Sequence, residues 1–322
     1  MRKIRLGKYT SILILVMMIV ICAFIDGTFL SPQNFINILR QISVVTIMAF
    51  GATILIIGGQ LDLSVGTNAA MSGTFACITY ISTNSLELSM IVGIMLGALV
   101  GIFNGFVVTM FNAPPFIVTL AMQQVTLGII FLYTDGQNVY NIGDFRLFGQ
   151  GSIGFVPVPI IIMLIIGVIT WFLLEKFKFG RYIFAIGGNE KAALASGVNV
   201  KRTKMLAYIY SGALAGLAGV VLMSRLNAGL PGSGLGYETD ALMAAIIGGT
   251  SFTGGIGTAV GTLIGASIIG ILNNIMNLVG VQAYVQQILK GLLIIFAVVV
   301  DIYSKEHKKT VRIIDNKSRT NG

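Results

Sequence analysis

The chain has 322 residues, of which 55% are hydrophobic and only 10% charged, with a net charge of +9 and a mean hydropathy of +0.89. A soluble domain carries about 25% charged residues, so this composition cannot cover a water-facing surface, and it is too apolar for a disordered chain. Its 40 glycines follow no G-X-Y period, which excludes collagen and suits closely packed membrane helices.

A membrane-crossing helix needs about 20 apolar residues. The sequence offers such segments at 9–30, 35–57, 64–82, 88–110 and 116–133, then, after a polar stretch at 134–156, at 157–174, 205–225, 239–252, 256–279 and 281–300. The first follows a basic head, as a signal peptide would, but no small-residue cleavage site follows it, so it reads as an uncleaved helix. The expected fold class is therefore all-α: one transmembrane domain over 1–322, a polytopic bundle of about ten spans. The 239–252 segment is short and predicts a tilted, broken or partly crossing helix.

An even number of crossings puts both ends on one side, and charge chooses that side. Residues 2–8 hold four Lys/Arg, 175–204 hold seven and the tail 301–322 holds six, 17 of the 21 in the chain. The positive-inside rule makes all three segments cytoplasmic; contact of these basic segments with anionic membrane lipid is a second use of the same charge. Nucleic acid is not the reading, because the charge flanks apolar spans. The loops 134–156 and 226–238 then lie outside, and their acids Asp135, Asp144 and Glu238, with Asp240 just beyond, are candidate contacts for an external protein.

Chemistry of the common enzymatic kinds finds little purchase. Cys22 and Cys77 lie in apolar spans, and the single histidine, His307, sits in the polar tail. No metal pattern, His-based triad or G-x-x-x-x-G-K-[ST] nucleotide loop is present. Transport is the default, and polar residues inside spans are its best pointers. Asp62 and Ser64 interrupt the apolar run between the second and third spans, and either could cap the helix that follows. Asn104, Asn273, Asn274, Gln286 and Gln287 either bond neighbouring helices or line a polar path. Lys290 falls in the middle of the last span, where a charge costs about 3 kcal/mol on insertion scales, so it must face a partner helix or water.

Two glycine ladders, Gly93-Gly97-Gly101-Gly105 and Gly257-Gly261-Gly265, predict close helix packing. Ile56-Ile57-Gly58-Gly59 is echoed by Ile246-Ile247-Gly248-Gly249, and each is followed by a Gly-Thr pair, Gly66-Thr67 and Gly257-Thr258, which suggests similar helix breaks.

The internal cytoplasmic segment 175–204 carries Gly187-Gly188-Asn189-Glu190, then Ala193-Leu194, then Gly197. Asn189 is a good N-cap, Glu190 suits a helix N-terminus and Gly197 is a natural stop, so a helix of about two turns is predicted near 190–196. It is either a docking element or a tidy linker.

Here the sequence resembles the permease subunits of ribose-type ABC sugar importers. The resemblance rests on Leu61-Asp62-Leu63-Ser64-Val65-Gly66, on the 180–200 segment, on Gly236-Tyr237-Glu238-Thr239-Asp240-Ala241 and on Gly248-Gly249-Thr250-Ser251-Phe252-Thr253-Gly254-Gly255, continuing through Gly261–Ala266 and Leu272-Asn273-Asn274. It implies a multi-pass protein of the bacterial inner membrane, dimeric with itself or with a second permease. It also implies a separate cytoplasmic ATP-binding subunit, which carries ATP and Mg, and an extracytoplasmic sugar-binding protein. The 175–204 loop would hold the coupling helix, with Gly187, Gly188, Asn189, Glu190, Ala193, Leu194 and Gly197 at the ATPase, and Ala193 and Leu194 packed in its groove. Gln60 stands where the family pattern carries an apolar residue, which leaves open a nucleoside or signalling furanose instead of a simple sugar. With specificity residing in the binding protein, no dense polar cluster is expected within the spans. An ion-coupled secondary transporter using Asp62, and a passive channel, are the rivals from other classes.

Overall fold

The computed structural model describes residues 10–299; the basic head 2–8 and the tail 301–322 with His307 lie outside the described residues. Helices stand at every segment read as a span. They are α1 (Thr10–Ile25), α2 (Pro32–Ile57), α3 (Val65–Thr83), α4 (Leu86–Phe111) and α5 (Pro115–Thr134) in the first half. The connection that follows α5 holds a 3₁₀ turn (Gly143–Arg146), α6 (Leu147–Gln150) and a two-stranded hairpin pairing Ser152–Ile153 with Val156–Pro157. Then come α7 (Val158–Glu175), α8 (Lys178–Gly188), α9 (Glu190–Ala195), α10 (Val200–Leu226), α11 (Tyr237–Ile247), α12 (Ala259–Leu278) and α13 (Ala283–Val299). Six of them, α2, α4, α5, α7, α10 and α12, are long and apolar enough to cross a membrane.

Local chemistry sets the ends. Ser31, Ser85, Asn199 and Thr258 accept N-terminal backbone N–H groups of α2, α4, α10 and α12, and Pro32 and Pro115 occupy first-turn positions where a missing N–H costs nothing. Asn84, Asn112, Asp135 and Asn227 close α3, α4, α5 and α10 in the left-handed region, which Asn and Asp tolerate better than other side chains.

The α10 helix is the hub, flanked by α4, α3 and α2. The first glycine ladder explains the approach of α4. A methyl at Gly97 would strike the Gly212 carbonyl and the Gly216 backbone, and one at Gly101 would strike Tyr208. The second ladder does the same for α12 against α11, where Gly261 and Gly265 abut Gly248 and Ala244.

The echoed motifs are indeed equivalent stops. After Ile57, Gly59 donates to Ile56 O and Gln60 to Leu55 O; after Ile247, Gly249 donates to Ile246 O and Thr250 to Ala245 O. Gly59 and Gly249 carry φ of +68° and +91°, which a side chain would resist. The Gly-Thr pairs are not equivalent: Gly66-Thr67 lies inside α3, whereas Thr258 caps α12.

Two helices begin inside the bundle. The 11 residues of α11 rise about 16 Å, half of a hydrocarbon core of about 30 Å. Its first turn, at Glu238, abuts Gly66 in the first turn of α3. α3 in turn meets α10 beyond the latter's midpoint, with Ala69 against Gly219.

Candidate functional site: two intramembrane polar clusters and a cytoplasmic helix pair

The chain between α2 and α3 is unwound over residues 58–64, and its polar groups turn inward. Asp62 is 3% exposed. Its Oδ1 accepts from the Ser64 backbone N–H at 2.8 Å and from the Ser64 hydroxyl at 2.6 Å. Asn104 of α4 donates to the Ser64 Oγ at 2.9 Å and lies 3.4 Å from both carboxylate oxygens. Neither expected cap is made: Ser64 holds the N-cap position of α3 without a side-chain capping bond, and Asp62 binds Ser64 itself. Asp62 serves the turn before the helix, because Ser64 keeps an αR backbone that aims its hydroxyl back at the carboxylate. The structure thus joins Asp62, Ser64 and Asn104. It adds Tyr208, whose hydroxyl reaches the Leu61 carbonyl at 3.1 Å and Gln60 Oε1 at 3.4 Å. Tyr208 was missed because a tyrosine in an apolar helix gives no sign of which carbonyl it meets.

A second cluster lies where α11 starts. Lys290 of α13 sits 2.9 Å from Asp240 Oδ1 and donates to Oδ2 at 3.0 Å, and Asn273 of α12 donates to the same Oδ2 at 3.0 Å. Asp240 and Glu238 occupy the first turn of α11, the end where the helix dipole favours negative charge. Lys290, at mid-span, therefore faces an acid and not lipid. Asn274 exchanges two amide hydrogen bonds with Asn34 of α2, at 2.7 and 3.0 Å, and so clamps two helices without touching the ion pair. Gln286 donates to Asn277 at 2.9 Å. A cavity of about 400 Å³ opens onto this cluster between α2, α11, α12 and α13.

Two expectations are corrected here. Glu238 and Asp240 are not available to an external protein. Both are buried, Glu238 accepting from the Gly236 N–H and from Gln123 of α5 and Asp240 being held by Lys290. The reason is that the residues before α11 dip into the bundle, carrying both acids with them. Asp135 and Asp144 are exposed on the connection that follows α5. Polar clusters do exist within the bundle: one joins the 58–64 turn with α4 and α10, the other joins α11, α12 and α13, so no single segment displayed either.

In the 175–204 segment, Asn189 accepts the Ala192 N–H at 3.0 Å and caps α9, and Gly197 carries φ +82° two residues past its end. Glu190 pairs with Lys204 of α10 at 2.8 Å across a partly exposed surface. Ala193 is 4% exposed, enclosed by Ile186, Val198 and Val200 of this same chain, so it cannot pack in a partner's groove. The cause is α8, an amphipathic helix absent from the sequence reading, which turns Ile183 and Ile186 inward and supplies the surface that Ala193 covers. Leu194, 63% exposed, is the apolar residue left facing out. Gly187 lies directly against the Ile57 carbonyl and the Gly255 N–H, and that N–H donates to Ile57 O at 2.8 Å. Gly188 faces open space. The end of α8 thus meets the stop of α2 and the 248–258 turn at one point.

Charged groups buried within apolar helices and helices that start in mid-bundle are the build of a membrane transport protein. Residues 34–298 match the family model described as "Branched-chain amino acid transport system / permease component". The chain is 43% identical over 300 residues to the ribose import permease protein RbsC of Bacillus subtilis (strain 168), covering 92% of each chain. It is 41% identical over 302 residues to RbsC of Escherichia coli (strain K12), covering 92% of this chain and 94% of that one. It is 39% identical over 297 residues to the D-allose transport system permease protein AlsC of the same strain, covering 91% of each. No solved structure matches. The chain belongs to this permease family, in its ribose-type ABC sugar-importer branch, and is a multi-pass protein of the inner membrane.

Proposed function

We propose that the chain is the membrane-spanning subunit of an ATP-driven importer for a ribose-like monosaccharide, and is not itself an enzyme. Ribose and allose appear in the names of its relatives, whereas the family model's description names amino acids; the relatives align over nine-tenths of the chain and are the more specific guide. The bundle crosses the membrane ten times with both ends in the cytoplasm, the residues that dip in before α11 and α11 itself together making the eighth crossing. ATP and Mg bind a separate cytoplasmic subunit, a binding protein delivers sugar at the outer face near Asp135 and Asp144, and two permeases, identical or not, form the pathway.

The observation that carries this reading is the seat of α8. A cytoplasmic helix pair that touches the ends of two intramembrane elements by backbone contact at Gly187 is what an external motor needs to push on. Leu194 and the Asn189–Glu190 edge of α9 face the ATPase, while Ala193 holds α9 to α8. The test is ATP-dependent uptake of D-ribose, D-allose and D-xylose into vesicles carrying the permease, its ATPase and the binding protein. Leu194→Asp is expected to abolish ATPase recruitment with normal permease levels. Ala193→Asp is expected to lower permease levels instead, because a carboxylate in that enclosed site lacks a partner. Wild-type recruitment by Leu194→Asp would move the coupling site elsewhere.

A further inference from the structure

Between α2, α7 and α12 lies an apolar groove of about 250 Å³. Phe50, Met163 and Ala259 are buried in its floor, while Trp171 of α7 and Val260 of α12 stand exposed on its rims. Gly167 opens it: a Cβ there would come within 3.2 Å of the Phe50 ring, so the missing side chain lets the groove reach α2. No charged side chain lines it. From Met163 to Trp171 it follows α7 for about 12 Å, most of the depth of one leaflet's hydrocarbon, about 15 Å. Over that length its volume leaves a cross-section of about 20 Å², far less than a helix about 10 Å across requires. An extended alkyl chain is narrow enough to fill it, and leaving it empty would forfeit the dispersion contacts of its walls.

The end of the groove at Trp171 carries charge. Lys176, which ends α7, holds its Nζ 5.6 Å from the centre of the Trp171 ring. Arg181 donates to the Lys176 carbonyl at 3.4 Å, which brings its guanidinium to the same place. Lys178 lies between the two in sequence, and Glu175 is the one acid in 170–189. All four side chains are exposed, and among the described residues none of the three cations forms an ion pair. A slot one leaflet deep with unpaired cations at its mouth fits the two ends of one molecule, a hydrocarbon tail and an anionic headgroup. A zwitterionic headgroup would bring its own cation against Lys176 and Arg181.

We propose that this groove is a binding site for an anionic phospholipid, with one acyl chain lying along α7 over Gly167 and the headgroup phosphate held by Lys176 and Arg181. That the site opens to the cytoplasmic leaflet rests on the proposed topology; the site itself does not. The lipid completes the seam between α2, α7 and α12 that the protein's own side chains leave unfilled.

Trp171 is the single tryptophan of the chain, so its fluorescence reports on this groove alone. Full-length permease would be reconstituted in phosphatidylcholine bilayers in which a growing fraction of the lipid carries brominated acyl chains, which quench tryptophan on contact. The brominated lipid is phosphatidylglycerol in one series and phosphatidylcholine in the other. One Lys or Arg at an anionic lipid surface confers about a fivefold preference, so brominated phosphatidylglycerol is expected to reach half-maximal quenching at a fraction at least about fivefold lower. Lys176→Glu, at an exposed position, is expected to remove that preference and Lys176→Arg to keep it, each read against the same variant in unbrominated lipid. Gly167→Leu fills the slot beside Phe50, and Val260→Phe narrows it from an exposed rim; each is expected to move half-maximal quenching by phosphatidylglycerol to a higher fraction. Equal quenching of the wild type by the two lipids overturns the site, as does a preference that survives Lys176→Glu. So does a half-maximal fraction unmoved by both groove variants, or quenching by neither lipid because a second copy of the chain covers Trp171. Sugar uptake plays no part in this measurement, so its failure would refute the proposed function and leave the lipid site standing.

Discussion

Asp62 and Asp240 are two buried carboxylates satisfied in different ways. Asp240 has a cation; Asp62 has the N–H and hydroxyl of Ser64 and the Asn104 amide, and no cation pairs with it among the described residues. An amide oxygen can take over the Ser64 bonds, so Asp62→Asn is expected to keep most sugar uptake, while Asp62→Leu leaves two buried donors unpaired at roughly 1–3 kcal/mol each and loses it. Equal loss in both, at normal membrane levels, would assign the charge a direct role. For the other pair, Lys290→Met alone strands a buried carboxylate and is expected to lower stability by about 3–5 kcal/mol, whereas Asp240→Leu with Lys290→Met recovers most of it. Thermal unfolding of the purified permease in detergent reads both. At this scale the sequence disclosed which residues mattered more readily than what they meet. Lys290 in mid-span demanded a partner helix or water without naming a partner, and the burial of Asp240 was not foreseen, because the dip of residues before α11 depends on backbone packing against Gly66.

Among elements, the α4–α10 seam is the tightest, glycine facing glycine along its length. Gly97→Leu would drive a side chain into the backbone of α10, and overpacking of this kind costs about 1–3 kcal/mol or more. Gly128→Ala, on an open face of α5 with nothing within 4 Å, is the matched control. The first variant is expected to lower the unfolding temperature and the second to leave it unchanged or raise it slightly, since alanine favours a helix interior over glycine. The helical segments, the glycine ladders, the Asn189 cap and the shortness of α11 were legible, because each is written in local composition or spacing; the cap expected at Asp62 or Ser64 is not made. The α8 helix was not legible: Gly180, Gly187 and Gly188 weaken its helix propensity, and its seven-residue stretch from Gly180 to Ile186 passes for a loop unless the inward spacing of Ile183 and Ile186 is noticed. Its glycines are there for contact, since a methyl at Gly180 would strike the last carbonyls of α7.

Across the whole molecule, elements distant in sequence converge on one small place. The stop of α2, the 248–258 turn and the end of α8 touch there as bare backbone, with Gly255 N–H on Ile57 O and Gly187 alongside. Contacts between side chains yield, because rotamers adjust and absorb small displacements; main chain pressed on main chain has no such slack. On the proposed reading the junction is a yoke and not a spring: a partner that turned α8 would turn α2 and the start of α12 in the same stroke. Enlarging the residue at its centre would jam the link without detaching the motor. Gly187→Ala is accordingly expected to keep ATPase recruitment and nucleotide hydrolysis while uptake falls, leaving an engine that runs with the gate no longer following it.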